Sequence, residues 1–247
     1  MQKDIRIEIC CGSYEDVLAA KQAGAHRAEL NSALFLGGLT PSMGNFLKAM
    51  QVPDIEILPM VRPRSAGFCY SAAEYETMLE DAKLFLGHGA HGIVFGFLNA
   101  DCTVDTERTA EFVKLTGMKT AVFHRAFDLT PDPYEALESL IRCGVTRVLT
   151  SGQAPSVPEG IALIRDLVER ARGRIEILPG AGVRASNIAH IIQYTKATQI
   201  HFSASVKQAE PSGQNNRGLH FGGALYPPED VIDVTSAAKI RSVIGAI

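Results

Sequence analysis

The chain has no run of lysine or arginine, and its 24 basic residues against 27 acidic ones leave a net charge of −3. Nucleic acid and anionic membranes select proteins with a positive footprint, so both partners are set aside. No stretch reaches the ~18 consecutive apolar residues of a membrane span. The opening MQKDIRIEICC alternates charges where a signal peptide carries an apolar core, so a cytoplasmic protein is expected. Cysteines at 10, 11, 69, 102 and 143 show no C-x-x-C spacing, which suits reduced thiols rather than a disulfide framework. H-E-x-x-H and H-x-H are absent too, which removes the common zinc-hydrolase signatures. A linker or composition break is also missing, and the 247 residues are read as one domain.

What the chain does have is 46% hydrophobic residues and a recurring order: a short β-rich run, a capped amphipathic stretch, a glycine, then another β-rich run. The runs are 5–11, 27–32, 55–62, 92–97, 120–128, 147–152, 174–182 and 199–205. Ser13 with Asp16, Ser71 with Glu74, and Asp132 before Pro133 read as helix starts. Gly24, Gly89 and Gly144 each end a helix just before the next strand. Eight such units predict an α/β fold of the (β/α)8 TIM-like barrel type, with an open doubly wound sheet as the alternative. One segment, 206–230, lacks any periodicity and reads as a long irregular loop after the eighth strand, followed by a final helix near 233–245.

Residues two apart on a strand share a side, and the helix-facing side of a barrel strand is steadily apolar. That parity turns Glu8 and Cys10 inward on the first strand, Arg27, Glu29 and Asn31 on the second, and Met60 and Arg62 on the third. His124 and Asp128 follow on the fifth, Ser151 on the sixth, and His201, Ser203 and Ser205 on the eighth. Barrel active sites lie at the C-terminal strand ends. The expected site is therefore Glu8, Cys10, Glu29, Asn31, Arg62, His124, Asp128, Ser151 and Ser203. Glu8, Glu29, His124 and Asp128 are the acid/base candidates. Arg62, Asn31, Ser151, Ser203 and Ser205 are the candidates for holding an anion. A layer of buried ion pairs, Glu8 and Glu29 around Arg62, is the structural alternative for the same residues.

PGAGVRASN runs from the seventh strand into a helix start, where Gly180 and Gly182 leave backbone N–H groups free for a phosphate. No lysine stands at an inward strand end, which disfavours Schiff-base chemistry. These residues fit an enzyme acting on a small anionic or phosphorylated metabolite by acid/base chemistry, but they fix no reaction. No organic cofactor is indicated. Neighbouring strand residues face opposite sides, so Cys10 and Cys11 cannot share one metal ion; Cys11 is expected to pack against the helix layer.

EICCGS, GAHRAELN, VRPR, HGIVFG, VFHRAFD, GVTRVLTSG, ILPGAGVRASN and HFSAS, in this order, resemble the CutC family, which is associated with copper homeostasis. The resemblance covers nearly the whole chain. It implies a cytoplasmic TIM-like barrel, a homo-oligomer, and copper handling in which Cys10 is a candidate ligand for Cu(I). Soft thiolate or thioether partners for Cys10 are Met60, Cys69 and Cys102. Where the family pattern reads cysteine at the end of the second strand, this chain has Asn31.

Overall fold

The computed structural model describes residues 5–215, 218–222 and 229–247. The repeating part runs β1 (Arg6–Cys11), α1 (Tyr14–Gln22), β2 (Arg27–Leu30), α2 (Met43–Ala49), β3 (Glu56–Pro59), α3 (Ala72–Gly87), β4 (Gly92–Phe95) and α4 (Thr106–Thr116). It continues with β5 (Thr120–Phe123), α5 (Pro133–Cys143), β6 (Arg147–Thr150), α6 (Val157–Ala171), β7 (Glu176–Pro179), α7 (Ile188–Thr195) and β8 (Gln199–Phe202). All pairings among these strands are parallel, in the orders β3-β2-β1-β8 and β4-β5-β6-β7. Parallel bridges Met60–Val94 and Gly180–His201 join the two runs and close the (β/α)8 barrel.

The punctuation read from the sequence forms as expected. Ser13 and Ser71 cap α1 and α3, the latter through a full capping box with Glu74, and Asp132 caps α5 ahead of Pro133. Gly24, Gly89 and Gly144 take left-handed backbone angles at the helix ends, which a Cβ would oppose. Ile7, Ile9, Ala28, Ile57, Val61, Val148, Ile200 and Phe202 are buried in the main core. Each of the valine, isoleucine and phenylalanine side chains contributes roughly 1.5–3 kcal/mol by leaving water. Among the described residues no helix is long and apolar enough to cross a membrane.

The barrel interior is split by chemistry. One sector, Leu58, Met60, Val94, Val122, Leu149 and Leu178, is a separate apolar cluster. A polar group on β1, β2, β6 and β8 buries Glu8, Arg27, Glu29, Arg147, Gln199 and His201.

Two expectations change beyond β8. The segment expected to be irregular begins with β9 (Ser205–Ala209), which pairs antiparallel with β10 (Val231–Thr235). The expected final helix therefore loses its first turn to β10 and starts later, as α8 (Ala237–Ile244). A ladder whose two strands lie so far apart in sequence leaves no local period to read. Part of the expected loop, 216–217 and 223–228, lies outside the described residues. Asp16 anchors the hairpin to α1: its Oδ1 accepts from Thr235 N at 2.6 Å and its Oδ2 from Gly12 N at 2.8 Å.

Candidate functional site

Glu8 sits at the floor of the polar sector, 1% exposed. The parallel register puts it beside Arg27 on β2 and His201 on β8. It accepts from Arg27 Nε at 2.9 Å and from His201 Nδ1 at 2.9 Å, and Arg147 Nη1 lies 3.7 Å away. Arg147 continues to Glu176 at 2.7 Å, and Arg27 donates to Gln199 at 2.5 Å. Burial by itself raises the Glu8 carboxyl, but the His201 hydrogen bond and the charges of His201, Arg27 and Arg147 outweigh it and hold the group at about 2. The buried ion-pair layer does exist, with Arg27 and Arg147 as its cations in place of the expected Arg62. Glu8 does not reach the cleft above; it acts on that cleft through His201.

One layer higher, Cys10, Glu29 and His201 converge. Cys10 and Glu29 are register partners on β1 and β2. Ligand atoms of the three side chains all lie within 4.8 Å of one another. His201 Nδ1 is committed to Glu8, so Nε2 is the free nitrogen, 3.9 Å from Glu29 Oε2. Asn31 Nδ2 donates to Glu29 Oε2 at 2.9 Å and lies 3.6 Å from Cys10 Sγ, while among the described residues Glu29 Oε1 has no hydrogen-bond partner. Burial pushes the Glu29 carboxyl and the Cys10 thiol up, the latter with help from the Glu29 charge. Burial opposes the charge on His201, yet Glu29 and Glu8 raise its pKa overall. The result is one thiol, one carboxyl and one imidazole at the bottom of a cleft of about 990 Å³.

Arg62 and His124 line another part of the same cleft, together with Phe68. Arg62 is spent largely on backbone, donating to the carbonyls of Leu36, Gly38 and Ala66. His124 lies just past β5 rather than on it and caps the short 3-10 turn 125–129 by accepting from Ala126 N.

Other expected residues are placed differently. Asp128 belongs to the 3-10 turn and not to β5. Its oxygens accept from Thr150 and Ser151 hydroxyls, Arg125 Nε and the backbone N–H groups of Ser151 and Gln153. That saturated carboxylate holds the β5 and β6 ends together; it and Ser151 are outside the cleft lining. Gly180, Gly182, Ser203 and Ser205 do line the cleft, Ser205 from β9. Cys69 and Cys102 are exposed and do not line the cleft, whereas Met60 does. Cys11 is fully buried in the core.

Strand parity turns His201 and Arg27 inward without giving either a role, and leaves Arg147 unassigned. The signal was available for His201, since it shares its parity with Ser203 on a strand adjacent to β1. For the arginines, only the register identifies their partner.

The sequence profile of the CutC family matches residues 5–206. The protein CutC of Treponema denticola is 53% identical over 245 residues, 99% of this chain and the whole of that one. The human copper homeostasis protein cutC homolog is 38% identical over 237 residues, 96% of this chain and 87% of that one. A crystal structure of CutC from Streptococcus agalactiae superposes with a TM-score of 0.77 at 34% identity, covering 80% of this chain and 98% of that one. Phosphoribosyl anthranilate isomerase from Thermotoga maritima, at 12% identity and a TM-score of 0.57, shares the barrel fold. The matched profile spans most of the barrel and the identities extend over nearly the whole chain, so this protein belongs to the CutC family.

Proposed function

We propose that the chain serves copper homeostasis by holding a copper ion as cargo at the barrel mouth, on Cys10 Sγ, His201 Nε2 and a Glu29 oxygen. The convergence of those donors within 4.8 Å carries the reading. The names of the human and mouse relatives, copper homeostasis protein cutC homolog, agree with it. A thiolate selects Cu(I), imidazole suits copper in general, and the carboxylate is the hard member of the set. The donors therefore fit a copper ion through one soft and one borderline ligand, with the Met60 thioether on the same cleft wall. Glu8 behind His201 is the carboxylate support that fixes a ligating imidazole. The free thiols are consistent with a reducing cytoplasm. A Cu(I) titration under reducing conditions, against a chromophoric chelator, tests the site. One equivalent is expected in the native protein, with loss in Cys10→Ser; an unchanged isotherm in that variant overturns the proposal.

A second reading rests on the Glu8–His201 hydrogen bond: an acid/base enzyme for a small anionic or phosphorylated metabolite. Glu8 would orient the ring, and His201 Nε2 and Glu29 would exchange the substrate proton. Solvent deuterium incorporation into a bound metabolite, lost in Glu29→Gln, is the expected sign. Its absence across phosphorylated and carboxylated candidates rejects this reading.

A further inference from the structure

A buried cation without a carboxylate partner sits on one wall of the cleft. Arg62 is 7% exposed, and among the described residues no carboxylate pairs with its guanidinium, which donates to the backbone carbonyls of Leu36 at 3.1 Å, Gly38 at 3.0 Å and Ala66 at 2.9 Å and stands near the Tyr70 hydroxyl. Charges are rarely buried unless an opposite charge accompanies them. Those bonds use three of its five N–H groups, and among the described residues Nε–H has no hydrogen-bond acceptor.

His124, 4% exposed, lies beside it. Its Nδ1 accepts from Ala126 N at 3.1 Å, so the proton of the neutral ring is on Nε2. Among the described residues Nε2 also has no hydrogen-bond partner. Burial, reinforced by the Arg62 charge, holds the ring neutral down to about pH 3. The ring occupies space that only glycine leaves open: a Cβ on Gly96 would come within 2.4 Å of His124 Cε1. Phe68 packs on both groups, its centroid 4.7 Å from the His124 ring and 5.1 Å from Arg62 Cζ. All three side chains line the cleft.

We propose that Arg62 and His124 form a subsite for a small planar monocarboxylate, covered by Phe68. One guanidinium and one neutral imidazole carry a single positive charge, which a carboxylate balances. A phosphate dianion would leave excess charge against the apolar ring. Two N–H donors suit two carboxylate oxygens, and the arginine makes the stronger, charge-assisted contact. Phe68 shields both nitrogens, and the ligand reaches them when that ring turns outward. The subsite needs neither the copper ion nor a reaction, so its failure and that of the copper reading are separable.

The test uses pyruvate as the probe, on the full chain stripped of metal with EDTA, read by the His124 Nε2–H signal in nuclear magnetic resonance. The expected result is an Nε2–H tautomer in the free protein and a saturable shift with pyruvate. Inorganic phosphate at the same pH produces a weaker effect. Arg62→Lys weakens pyruvate binding about tenfold, because an ammonium does not reproduce the guanidinium donors. Phe68→Ala tightens binding and serves as the second variant if Arg62→Lys does not fold. No saturable shift with pyruvate, tighter binding of phosphate, or native affinity in either folded variant overturns the proposal.

Discussion

His201 Nδ1 donates to Glu8 Oε1 at 2.9 Å across the β1–β8 pair, and this bond couples the barrel floor to the cleft. Removing the charge of Glu8 tests that coupling. Glu8→Gln leaves Arg27 and Arg147 facing a neutral amide in a buried layer, which costs about 3–5 kcal/mol when a partner of a buried pair is lost. Urea denaturation of native and variant protein measures it, and equal midpoints would contradict the assigned role. In the native protein the Glu8 pKa of about 2 lies below the ordinary 4.5. Its stabilisation is therefore complete above pH 4.5 and is lost as the pH falls toward 2.

His124 contributes a separate acid limb. Its pKa is lowered from 6.5 to about 3 by burial and the Arg62 charge. Between those values the unfolded chain binds a proton that the folded chain refuses, so stability decreases as pH falls from 6.5 toward 3. His124→Gln removes this limb: its stability should change less than that of the native protein between pH 6.5 and 4.5. Parallel curves for the two proteins would show that the ring is not held neutral.

Asn31 Nδ2 lies 3.6 Å from Cys10 Sγ, so a thiol at position 31 would stand beside the first. Asn31→Cys is expected to raise Cu(I) affinity by about tenfold or more, since a second thiolate replaces an amide that copper does not favour. Competition with a chromophoric chelator reads the change. Unaltered affinity would place the copper ion elsewhere.

Asp16 holds the β9–β10 hairpin through Thr235 N at 2.6 Å. Asp16→Ala leaves the Gly12 and Thr235 amides without their acceptor, at a cost of roughly 1–3 kcal/mol. Hydrogen exchange at Thr235 should accelerate more than exchange in β1 or β8. Equal protection in variant and native protein would mean that the ladder alone holds β10.

The barrel was legible because each unit carries its own punctuation: Ser71 with Glu74, Asp132 with Pro133, Gly144 after α5. Strand parity likewise identified Glu8, Glu29 and His201 as inward. It could not rank them, because burial depth and partners depend on register between strands. Glu8 thus emerged as a support beneath His201, and Arg62 as a group bound to backbone carbonyls instead of the acids. Asp128 followed the parity of a strand that stops at Phe123, and the chain turns before reaching it. The β9–β10 ladder was invisible for the same reason as the arginine pairings: its information is non-local.

The most direct measure of the copper site is X-ray absorption at the copper edge of the Cu(I)-loaded protein, compared with His201→Gln. One sulfur from Cys10 and at least one nitrogen ligand are predicted, with the nitrogen contribution lost in the variant. An unchanged spectrum in His201→Gln, or a shell of two or more cysteine sulfurs, would contradict the assignment of Cys10, His201 and Glu29.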